Sequence, residues 1–382
     1  MARNILVSAG EASGDLYAAL VVEELRRIWP EVRFFGCTGP RLRAAGVETV
    51  VDASSLAVVG LLEVVSHLPR IHREYRKLLA AASARQPDLA ILADSPDFHL
   101  RVAKQLHSRQ IPVAYLVAPQ VWAWRKGRIP TIRRLVRHLL CIFPFEQEFF
   151  QRHGVTATYI GHPMAGRVRA TLSRDAFFRK HGFDPARPLV TVLPGSRRGE
   201  SARHLPALLD AIGRLQRDHV LNFALPASAT TGAEFFRQRI GDSVIRVLEG
   251  ESWDAMAHAS VAMAASGTVT VEAALLGTPM VTFYKVTTPS WLIGKMLVDV
   301  PFYSMVNLIA GRAVVPELMQ NQMTGQNLAV QTSRLLIDER VRAEMQAGLA
   351  EVRQKLSGGG DAPARAAAIV QEILEGQAAH VS

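Results

Sequence analysis

Two carboxylates follow an apolar run in the segment PDLAILADSPDF, residues 87–98. The run Leu89–Ala93 is typical of a buried strand, and Asp94 and Asp97 come directly after it, on either side of a Ser-Pro pair. Enzymes with α/β folds place reactive groups just beyond the carboxyl ends of strands, so Asp97 is a candidate general base. A turn with solvated acids, or an aspartate that caps a helix, explains the same spacing equally well.

The residues that usually bind metals are not spaced to do so in this chain. There is no D-x-D motif, and neither the 12 histidines nor the 2 cysteines show a metal-ligand spacing. We therefore expect a site with no metal ion and no cofactor. Cys37 and Cys141 also cannot form a disulfide framework, which favours a reducing, cytoplasmic compartment.

The stretches PGSRR and SGTVTVEAA, both in the second half of the chain, have the composition of anion-binding turns. The first offers Ser196 and the Arg197 guanidinium, whose fork matches a phosphate. In the second, Gly267 and Thr268 open a helix whose amides suit a phosphate. Glu272 lies four residues after Thr268 on the same helix face, where it can accept hydrogen bonds from a ribose. An exposed arginine turn and a capped helix with a solvated glutamate are the structural alternatives.

The loop GEASGD near the N-terminus is a weak nucleotide motif. It departs from G-x-G-x-x-G because Ala12 stands where the second glycine would be. The backbone of Gly10 and the side chains of Glu11 and Ser13 make it a candidate acceptor site instead.

The stretch VWAWRKGR combines aromatic and basic residues. Trp122 and Trp124 would share a face if the chain were extended, and Arg125, Lys126 and Arg128 follow them. A solvated basic helix, a nucleic-acid patch and a surface facing phosphorylated lipid all fit this composition. No aromatic residue is interleaved with the basic ones after the second tryptophan, which counts against single-stranded nucleic acid.

The elements that must position these motifs alternate between strand and helix. Strands are predicted at 5–8, 32–36, 89–93, 113–117, 139–143 and 158–160, and again at 189–193, 222–225, 244–248, 261–264 and 280–283. Helices are predicted at 16–29, 40–45, 71–84, 98–109, 205–216, 252–259 and 266–276, and over 338–376 with an interruption at 358–360.

The repeated pattern predicts an α/β chain of two Rossmann-like domains that face a cleft. At 382 residues the chain is also too long for one ordinary core. We expect a first domain over 1–165, a second domain over 166–340, and a helical segment over 341–382 that packs back on the first domain.

Charge and hydropathy indicate an anionic partner and exclude a spanning helix. Lys and Arg total 44 against 34 Asp and Glu, a formal charge of +10. The sequence has neither a run of 18 apolar residues nor a signal peptide. Two apolar segments, 56–65 and 291–298, suit either a membrane interface or an ordinary core. Their candidate membrane residues are Leu61, Leu62, Val64, Trp291, Leu292 and Ile293.

Taken together, nine motifs resemble those of the bacterial lipid-A-disaccharide synthases. In chain order they are SAGEASGD, GPRLRAAG, DSPDFH, APQVWAWR, FPFEQEFF, IGHPM, LPGSRRGE, ASGTVTVEAAL and NLIAGR, and they extend from about Ile5 to Arg312. Each motif alone is modest, but nine in the same order are highly specific.

The resemblance implies a metal-independent, inverting glycosyltransferase of the B architecture. Its donor is UDP-2,3-diacylglucosamine and its acceptor is 2,3-diacylglucosamine 1-phosphate. The product is a β-1,6-linked tetraacyl disaccharide 1-phosphate, a precursor of the lipid A of lipopolysaccharide. Asp97 matches the catalytic base that takes the proton from the acceptor 6-hydroxyl. The matching donor-side residues are Ser196, Arg197, Gly267, Thr268, Glu272 and Asn307, and those on the acceptor side are Gly10, Glu11 and Ser13.

The resemblance also implies a cellular location, and the chain departs from the family pattern at two positions. Acylated substrates favour peripheral binding to the anionic cytoplasmic face of the inner membrane, helped by basic residues such as Arg125, Lys126 and Arg128. The sequence does not decide whether the protein forms a homo-oligomer. The family more often has Asn where His99 stands and Asp where Gly166 stands. The sequence leaves open whether His99 alters the pKa of Asp97.

Two other functions compete with this interpretation. A UDP-N-acetylglucosamine 2-epimerase shares the architecture but works on a soluble sugar and would lack acyl-binding segments. A basic nucleic-acid-binding protein predicts salt-sensitive binding to DNA or RNA and leaves the Asp-Ser-Pro-Asp turn unexplained. We therefore expect no nucleic-acid partner.

Overall fold

The computed structural model describes residues 3–56, 61–241, 243–289, 291, 294, 298 and 300–378, with side chains for all of these except 61–67 and 377–378. The chain divides into two compact units, Met1–Pro163 with Gly358–Ser382, and Met164–Ser357. Each unit is built on one sheet whose described strand pairings are all parallel. The predicted α/β class with two parallel-sheet domains is confirmed.

The first unit contains a seven-stranded sheet in the order β3-β2-β1-β4-β5-β6-β7. The strands are β1 Asn4–Ala9, β2 Arg33–Thr38, β3 Glu48–Asp52, β4 Leu89–Ala93, β5 Val113–Leu116, β6 His138–Cys141 and β7 Ala157–Tyr159. The connecting helices are α1 Ala12–Ile28, α2 Pro40–Ala44, α3 Leu61–Arg85, α4 Pro96–His107, α5 Ile129–Leu135 and α6 Pro144–Arg152. Short 3₁₀ turns cover Ala53–Ser55 and Lys126–Arg128.

The second unit contains a six-stranded sheet in the order β10-β9-β8-β11-β12-β13. The strands are β8 Leu189–Leu193, β9 Asn222–Ala227, β10 Ile245–Glu249, β11 Val261–Ala265, β12 Met280–Tyr284 and β13 Glu317–Met319. The helices are α7 Arg174–His181, α8 Arg198–Asp218, α9 Ala233–Ile240, α10 Ser252–Ala257, α11 Thr268–Leu276, α12 Met305–Ala310, α13 Gly325–Ile337 and α14 Glu339–Ser357. A 3₁₀ turn covers Gln320–Gln322, and the chain then ends in the first unit with α15, Ala362–Ala378.

Within each sheet, the order of the strands places the predicted motifs of that sheet next to one another. In each sheet the strand order reverses between two neighbouring strands, β1 and β4 in the first and β8 and β11 in the second. Every residue of β4 and of β8 is buried, as expected for strands covered on both faces by helices. Loops that follow the strands at such a switch point form the usual ligand site of a doubly wound sheet. The predicted site residues in the loops after β1, β4, β8 and β11 therefore lie at the carboxyl ends of these strands, where a doubly wound sheet usually binds its ligand.

The C-terminal segment returns to the first unit later than expected. We predicted that residues 341–382 would pack back on the first domain, but α14 belongs to the second unit. Its Met345, Leu349 and Val352 are buried there because its apolar stripe faces that unit's core. Only the chain from Gly358 onward returns, and α15 packs against α1.

No helix within the described ranges is both long enough and apolar enough to cross a bilayer.

Candidate active site

The turn between β4 and α4 has an unusual backbone. Asp94 and Ser95 are both in the left-handed region, with φ of 55° and 41°, and Pro96 then begins the helix. Two successive non-glycine residues in this region are strained, and such strain persists only where surrounding contacts hold it. The turn brings Asp97 onto the first helical turn, directly beyond the end of the strand.

Contacts from two neighbouring segments, the Gly10–Glu11 loop and Tyr115 of β5, hold this turn. The Asp94 carboxylate accepts hydrogen bonds from the backbone N–H groups of Gly10, at 3.1 Å, and Glu11, at 3.2 Å. The hydroxyl of Tyr115 donates to the Asp94 backbone carbonyl. Burial of the Asp94 carboxyl raises its pKa to about 7, and the nearby charge of Glu11 adds to the effect.

His99 connects the same turn to β1 through both of its ring nitrogens. Its Nδ1 lies 2.8 Å from the Asp94 carbonyl oxygen and its Nε2 lies 2.8 Å from Ser8 Oγ. Burial lowers the pKa of His99 to about 4, so the ring is neutral near pH 7. A carbonyl can only accept, so Nδ1 carries the proton and Nε2 accepts from the serine hydroxyl. Both ring nitrogens of His99 therefore face Ser8 and the Asp94 carbonyl, and neither binds the Asp97 carboxylate.

Asp97 is exposed and paired with two arginines. Its side chain is 67% exposed, Arg125 Nη1 lies 3.1 Å from both carboxylate oxygens, and Arg128 Nη2 contacts Oδ1. Partial desolvation opposes ionisation of this carboxyl. The hydrogen bonds and charges of Arg128 and then Arg125 outweigh it and hold the pKa of Asp97 below its usual value. Asp97 is therefore ionised at neutral pH.

These ion pairs involve two of the basic residues in the membrane prediction. We expected Arg125 and Arg128 to attract anionic lipid, and in the structure both guanidinium groups contact the carboxylate of Asp97. The Arg125 guanidinium also lies over the Trp124 ring, 4.1 Å from its centroid. The pattern alone gave no sign of this, because the aspartate is about thirty positions away in the sequence.

The two tryptophans do not share one face. Trp122 is buried and its Nε1 donates to Glu146 Oε1 at 3.1 Å, while Trp124 is exposed. The other oxygen of Glu146 accepts from the Phe143 N–H at 3.2 Å. Burial raises the pKa of Glu146 to about 8. This part of the segment is a hydrogen-bonded core and not a stacking surface.

The glycines of the N-terminal loop are explained by the approach of the Asp94 turn. A Cβ at Gly14 would lie 1.6 Å from Asp94 Oδ2, and one at Gly10 would lie 2.1 Å from Ser95 Oγ. Glu11 occupies the N-cap position of α1, where its exposed side chain does not cap the helix, and Ser13 is half-buried. The structure thus brings Gly10 and Glu11 beside the turn that carries the predicted base.

In the second unit, the turn after β8 exposes the predicted anion-binding residues. Gly195 has φ of 123°, and a Cβ there would lie 2.6 Å from the Glu200 carboxylate. The Ser196 backbone carbonyl accepts from Thr231 Oγ1 at 2.9 Å, which anchors the turn. Arg197 is exposed at the N-cap of α8, and its side chain does not cap the helix.

The turn after β11 lies beside it, because β8 and β11 are neighbours. Gly267 and Thr268 are exposed at the N-terminus of the nine-residue helix α11. Further along, Glu272 accepts a hydrogen bond from Trp253 Nε1 at 3.1 Å, and burial raises the pKa of Glu272. Sequence reasoning missed Trp253, because it is a single aromatic residue in a short helix with no motif around it.

Asn307 has an internal role in the second unit. Its amide NH₂ donates to the Val315 carbonyl at 2.9 Å and to Glu317 Oε1 at 2.8 Å. Its Oδ1 accepts from the backbone N–H groups of Val314, at 2.7 Å, and Val315, at 2.9 Å. These bonds use both amide hydrogens and both lone pairs of the buried side chain. The predicted direct contact of Asn307 with the UDP-sugar donor is therefore at odds with the geometry. The side chain binds Glu317 instead.

Glu317 carries that support to the preceding loop. Its carboxylate accepts from the backbone N–H groups of Tyr303 and Ser304, each at 2.9 Å. The Tyr303 carbonyl in turn accepts from Ser266 Oγ, at 3.1 Å, next to the turn that opens α11. Asn307 is thus connected indirectly, through Glu317 and Tyr303, to the turn that is predicted to bind an anion.

Within the part of the chain that the structure describes, no three His, Cys, Asp or Glu side chains lie close enough to hold a metal ion.

Comparisons with known proteins agree over nearly the whole chain. A sequence model of the lipid-A-disaccharide synthetase family matches residues 5–370. The lipid-A-disaccharide synthase of Solibacter usitatus is 70% identical over 99% of this chain and 99% of its own length. That of Koribacter versatilis is 45% identical over 93% of this chain and 94% of its own.

Solved structures show the same fold at low identity. The calicheamicin glycosyltransferase CalG4 has a TM-score of 0.64 and 16% identity, covering 98% of each chain. The MurG protein of Acinetobacter baumannii has a TM-score of 0.55 and 14% identity, covering 92% of this chain and 95% of its own. A UDP-GlcNAc 2-epimerase from Neisseria meningitidis, bound to UDP-GlcNAc, has a TM-score of 0.64 and 12% identity, covering 97% and 99%. At these identities the solved structures bear on the fold alone.

Proposed function

Because the chain belongs to the lipid-A-disaccharide synthetase family, a family of glycosyltransferases in lipid A biosynthesis, we propose that it joins UDP-2,3-diacylglucosamine to 2,3-diacylglucosamine 1-phosphate. The products are the β-1,6-linked tetraacyl disaccharide 1-phosphate and UDP. The observation that carries the proposal is the exposed, ionised carboxylate of Asp97 at the switch point of the first sheet.

The chemistry is one in-line displacement at the donor anomeric carbon. Asp97 takes the proton of the acceptor 6-hydroxyl as that oxygen forms its bond to the anomeric carbon. The bond from this carbon to the UDP oxygen breaks on the opposite face, so the configuration inverts. One base is sufficient, because the leaving diphosphate needs stabilisation of charge and not a proton.

The second unit supplies groups suited to the leaving UDP. Arg197 offers a charged fork, and the amides of Gly267 and Thr268 lie at the positive end of α11. Charge on the diphosphate grows as the bond breaks, so donors fixed in advance stabilise the transition state most. In this proposal Ser196 adds its backbone to the phosphate site, and Glu272, oriented by the Trp253 indole, binds the ribose. No step needs a metal ion.

The acceptor lies against the first unit in this proposal. Gly10, Glu11 and Ser13 belong to the loop that the Asp94 carboxylate fastens beside Asp97. The acyl chains require contact with a membrane, so we place the enzyme on the anionic cytoplasmic face of the inner membrane. Trp291 supports this: it is half-buried, with its ring 5.8 Å from that of Tyr303, which is 42% exposed.

The other candidate membrane residues lie outside the described part of the chain. They are the side chains of Leu61, Leu62 and Val64, and the residues Leu292 and Ile293. The test is sedimentation with anionic vesicles. The Trp291→Ser, Leu292→Ser variant is expected to release at high salt while the unsubstituted protein is retained in part, because salt screens charge attraction but not apolar burial. Equal retention of the two proteins would remove this segment from the membrane face.

A direct test of the reaction measures UDP released from the diacylated donor with and without the acceptor. Release that depends on 2,3-diacylglucosamine 1-phosphate, together with a disaccharide product, is expected. Release without acceptor would favour epimerase-type or hydrolytic chemistry. The absence of UDP release under both conditions would contradict the proposal.

A further inference from the structure

The proposed base is held by two cations, which raises a chemical problem. Arg125 and Arg128 both bind the Asp97 carboxylate, and their charges keep it ionised but reduce its affinity for a proton. A general base works best when its proton affinity is close to that needed at the working pH. The ion pairs therefore have to loosen before the carboxylate can take a proton efficiently.

The two guanidinium groups differ in their surroundings, and that of Arg125 has a second contact besides Asp97. Arg125 has a left-handed backbone, with φ of 59°, and its guanidinium lies over the exposed Trp124 ring. Arg128 ends the 3₁₀ turn that leads into α5, and its side chain is only 26% exposed. The carboxylate that they share is 67% exposed, so a solute can reach it from outside. Two positive charges meet one negative charge here, which leaves one positive charge uncompensated within the group.

We propose that Arg125 and Arg128 form a binding site for the phosphate monoester of the acceptor, and that the Asp97 carboxylate occupies this site until the acceptor arrives. A phosphate monoester dianion has two charges and three terminal oxygens, so it suits a pair of guanidinium forks better than one carboxylate does. This inference rests on the proposed function and names the group on the acceptor that the first unit recognises.

Binding of the phosphate then switches on the base. The phosphate on C1 and the 6-hydroxyl on C6 extend from the two carbons that flank the ring oxygen. They cannot occupy the same position, so the guanidinium groups turn away from Asp97 to reach the phosphate. Their long side chains allow this movement. The carboxylate loses its partners and becomes more basic as the 6-hydroxyl of the same acceptor approaches it. Asp94 and Glu11 face the same turn, and any negative charge on them also favours protonation of Asp97.

The test compares two acceptors and two double variants. Arg125→Gln with Arg128→Gln removes the site, and Arg134→Gln with Arg137→Gln removes the same charge from exposed positions in and after α5. For each protein, kcat/KM is measured with 2,3-diacylglucosamine 1-phosphate and with the same compound lacking the phosphate. The unsubstituted enzyme and the control are expected to prefer the phosphorylated acceptor. The site variant is expected to lose about 10- to 100-fold of that preference per arginine, the range for charge-assisted hydrogen bonds.

A pH profile separates this role from a merely structural one. Removing both arginines relieves the cause of the low pKa of Asp97, so the acid limb of the rate profile moves to higher pH in the site variant only. A site variant that keeps both the preference for the phosphate and the acid limb of the unsubstituted enzyme would overturn the inference.

Two further measurements complete the test. The first distinguishes the phosphate of the acceptor from that of a lipid headgroup. The second distinguishes failure of the phosphate site from failure of the proposed reaction. If the site variant loses binding to phosphatidylglycerol vesicles but keeps the acceptor preference, the arginines bind lipid headgroups and the inference is wrong. Titration with glucosamine 1-phosphate, followed by NMR of the arginine side-chain N–H groups, needs no turnover. A response of Arg125 and Arg128 to this compound but not to glucosamine, in a protein that transfers no sugar, would retain the phosphate site and reject the reaction.

Discussion

The contact between Gly14 and Asp94 allows a quantitative test of how the candidate site is held together. Gly14 lies in the first turn of α1, and a Cβ added there would lie 1.6 Å from Asp94 Oδ2 and 2.6 Å from Asp94 Cγ. Real Cβ atoms do not come this close to another heavy atom. In Gly14→Ala the carboxylate therefore has to leave the N–H groups of Gly10 and Glu11.

The expected cost follows from these contacts. Overpacking costs about 1–3 kcal/mol, and each lost hydrogen bond to a charged acceptor costs about 1.5–3 kcal/mol. The helix gains at most about 1 kcal/mol from alanine in place of glycine. We expect Gly14→Ala to destabilise the first unit by about 3–8 kcal/mol at pH 8, where Asp94 is ionised and both of its hydrogen bonds are lost. In an Asp94→Ala background the clashing atoms are absent and the remaining neighbour, Asp94 Cβ, is at 3.4 Å, so the same change should be neutral or stabilising.

The assay is native-state hydrogen exchange of amides in β1 and β4, which reports on the first unit alone. Gly213→Ala is the control, because Gly213 lies exposed inside α8 with no atom within 4 Å of an added Cβ. That change should stabilise the second unit by about 0.5–1 kcal/mol. Equal effects of Gly14→Ala in the presence and absence of the Asp94 carboxylate would refute the reasoning, because the coupling would then be zero.

Three further predictions concern metal, nucleotide and pH. Transfer activity should survive EDTA, and a loss that Mg²⁺ or Mn²⁺ restores would contradict the metal-independent mechanism. Arg197→Ala should weaken UDP binding but not uridine binding in calorimetry, whereas Glu272→Ala should weaken both; unchanged affinities would remove these residues from the nucleotide site. Burial raises the pKa of Asp94 to about 7, above the value of about 3.9 in an unfolded chain. Its contribution to the stability of the first unit is therefore complete below about pH 4 and lost as the pH rises to about 7. Asp94→Asn should flatten that part of the stability profile, and an unchanged slope would argue against the shifted pKa.

The sequence was sufficient for the elements with a simple hydrophobic signal. β4 and β8 were predicted residue for residue, because β4 is a continuous apolar run between acidic residues and β8 is a run between prolines that only Thr191 interrupts. The strand β3 was missed, since it is a short edge strand in which only Val51 is fully buried. Helix α3 begins at Leu61, ten residues before the predicted start.

The site was predictable in outline but not in its partners. The strand-end position of Asp97 and the exposed turns of the second unit followed from local patterns. The hydrogen bonds from Gly10 and Glu11 to Asp94 join segments more than eighty positions apart, and only the tertiary fold brings them together. The paired glycines at positions 10 and 14 were the one local trace of this approach. Asn307 shows a different limit of the sequence. Its motif matches the family, but the motif does not indicate that hydrogen bonds within the protein occupy the whole side-chain amide.

The central claim is that Asp97 is the general base, and Asp97→Asn tests it most directly. Single-turnover transfer from the UDP-sugar to the acceptor is compared with that of the unsubstituted enzyme, with UDP affinity measured on the same samples. The substitution removes the basic oxygen but keeps the size of the side chain. The account predicts a rate lower by about 10²–10⁴-fold with UDP affinity unchanged. A rate within a few-fold of the unsubstituted enzyme would contradict it.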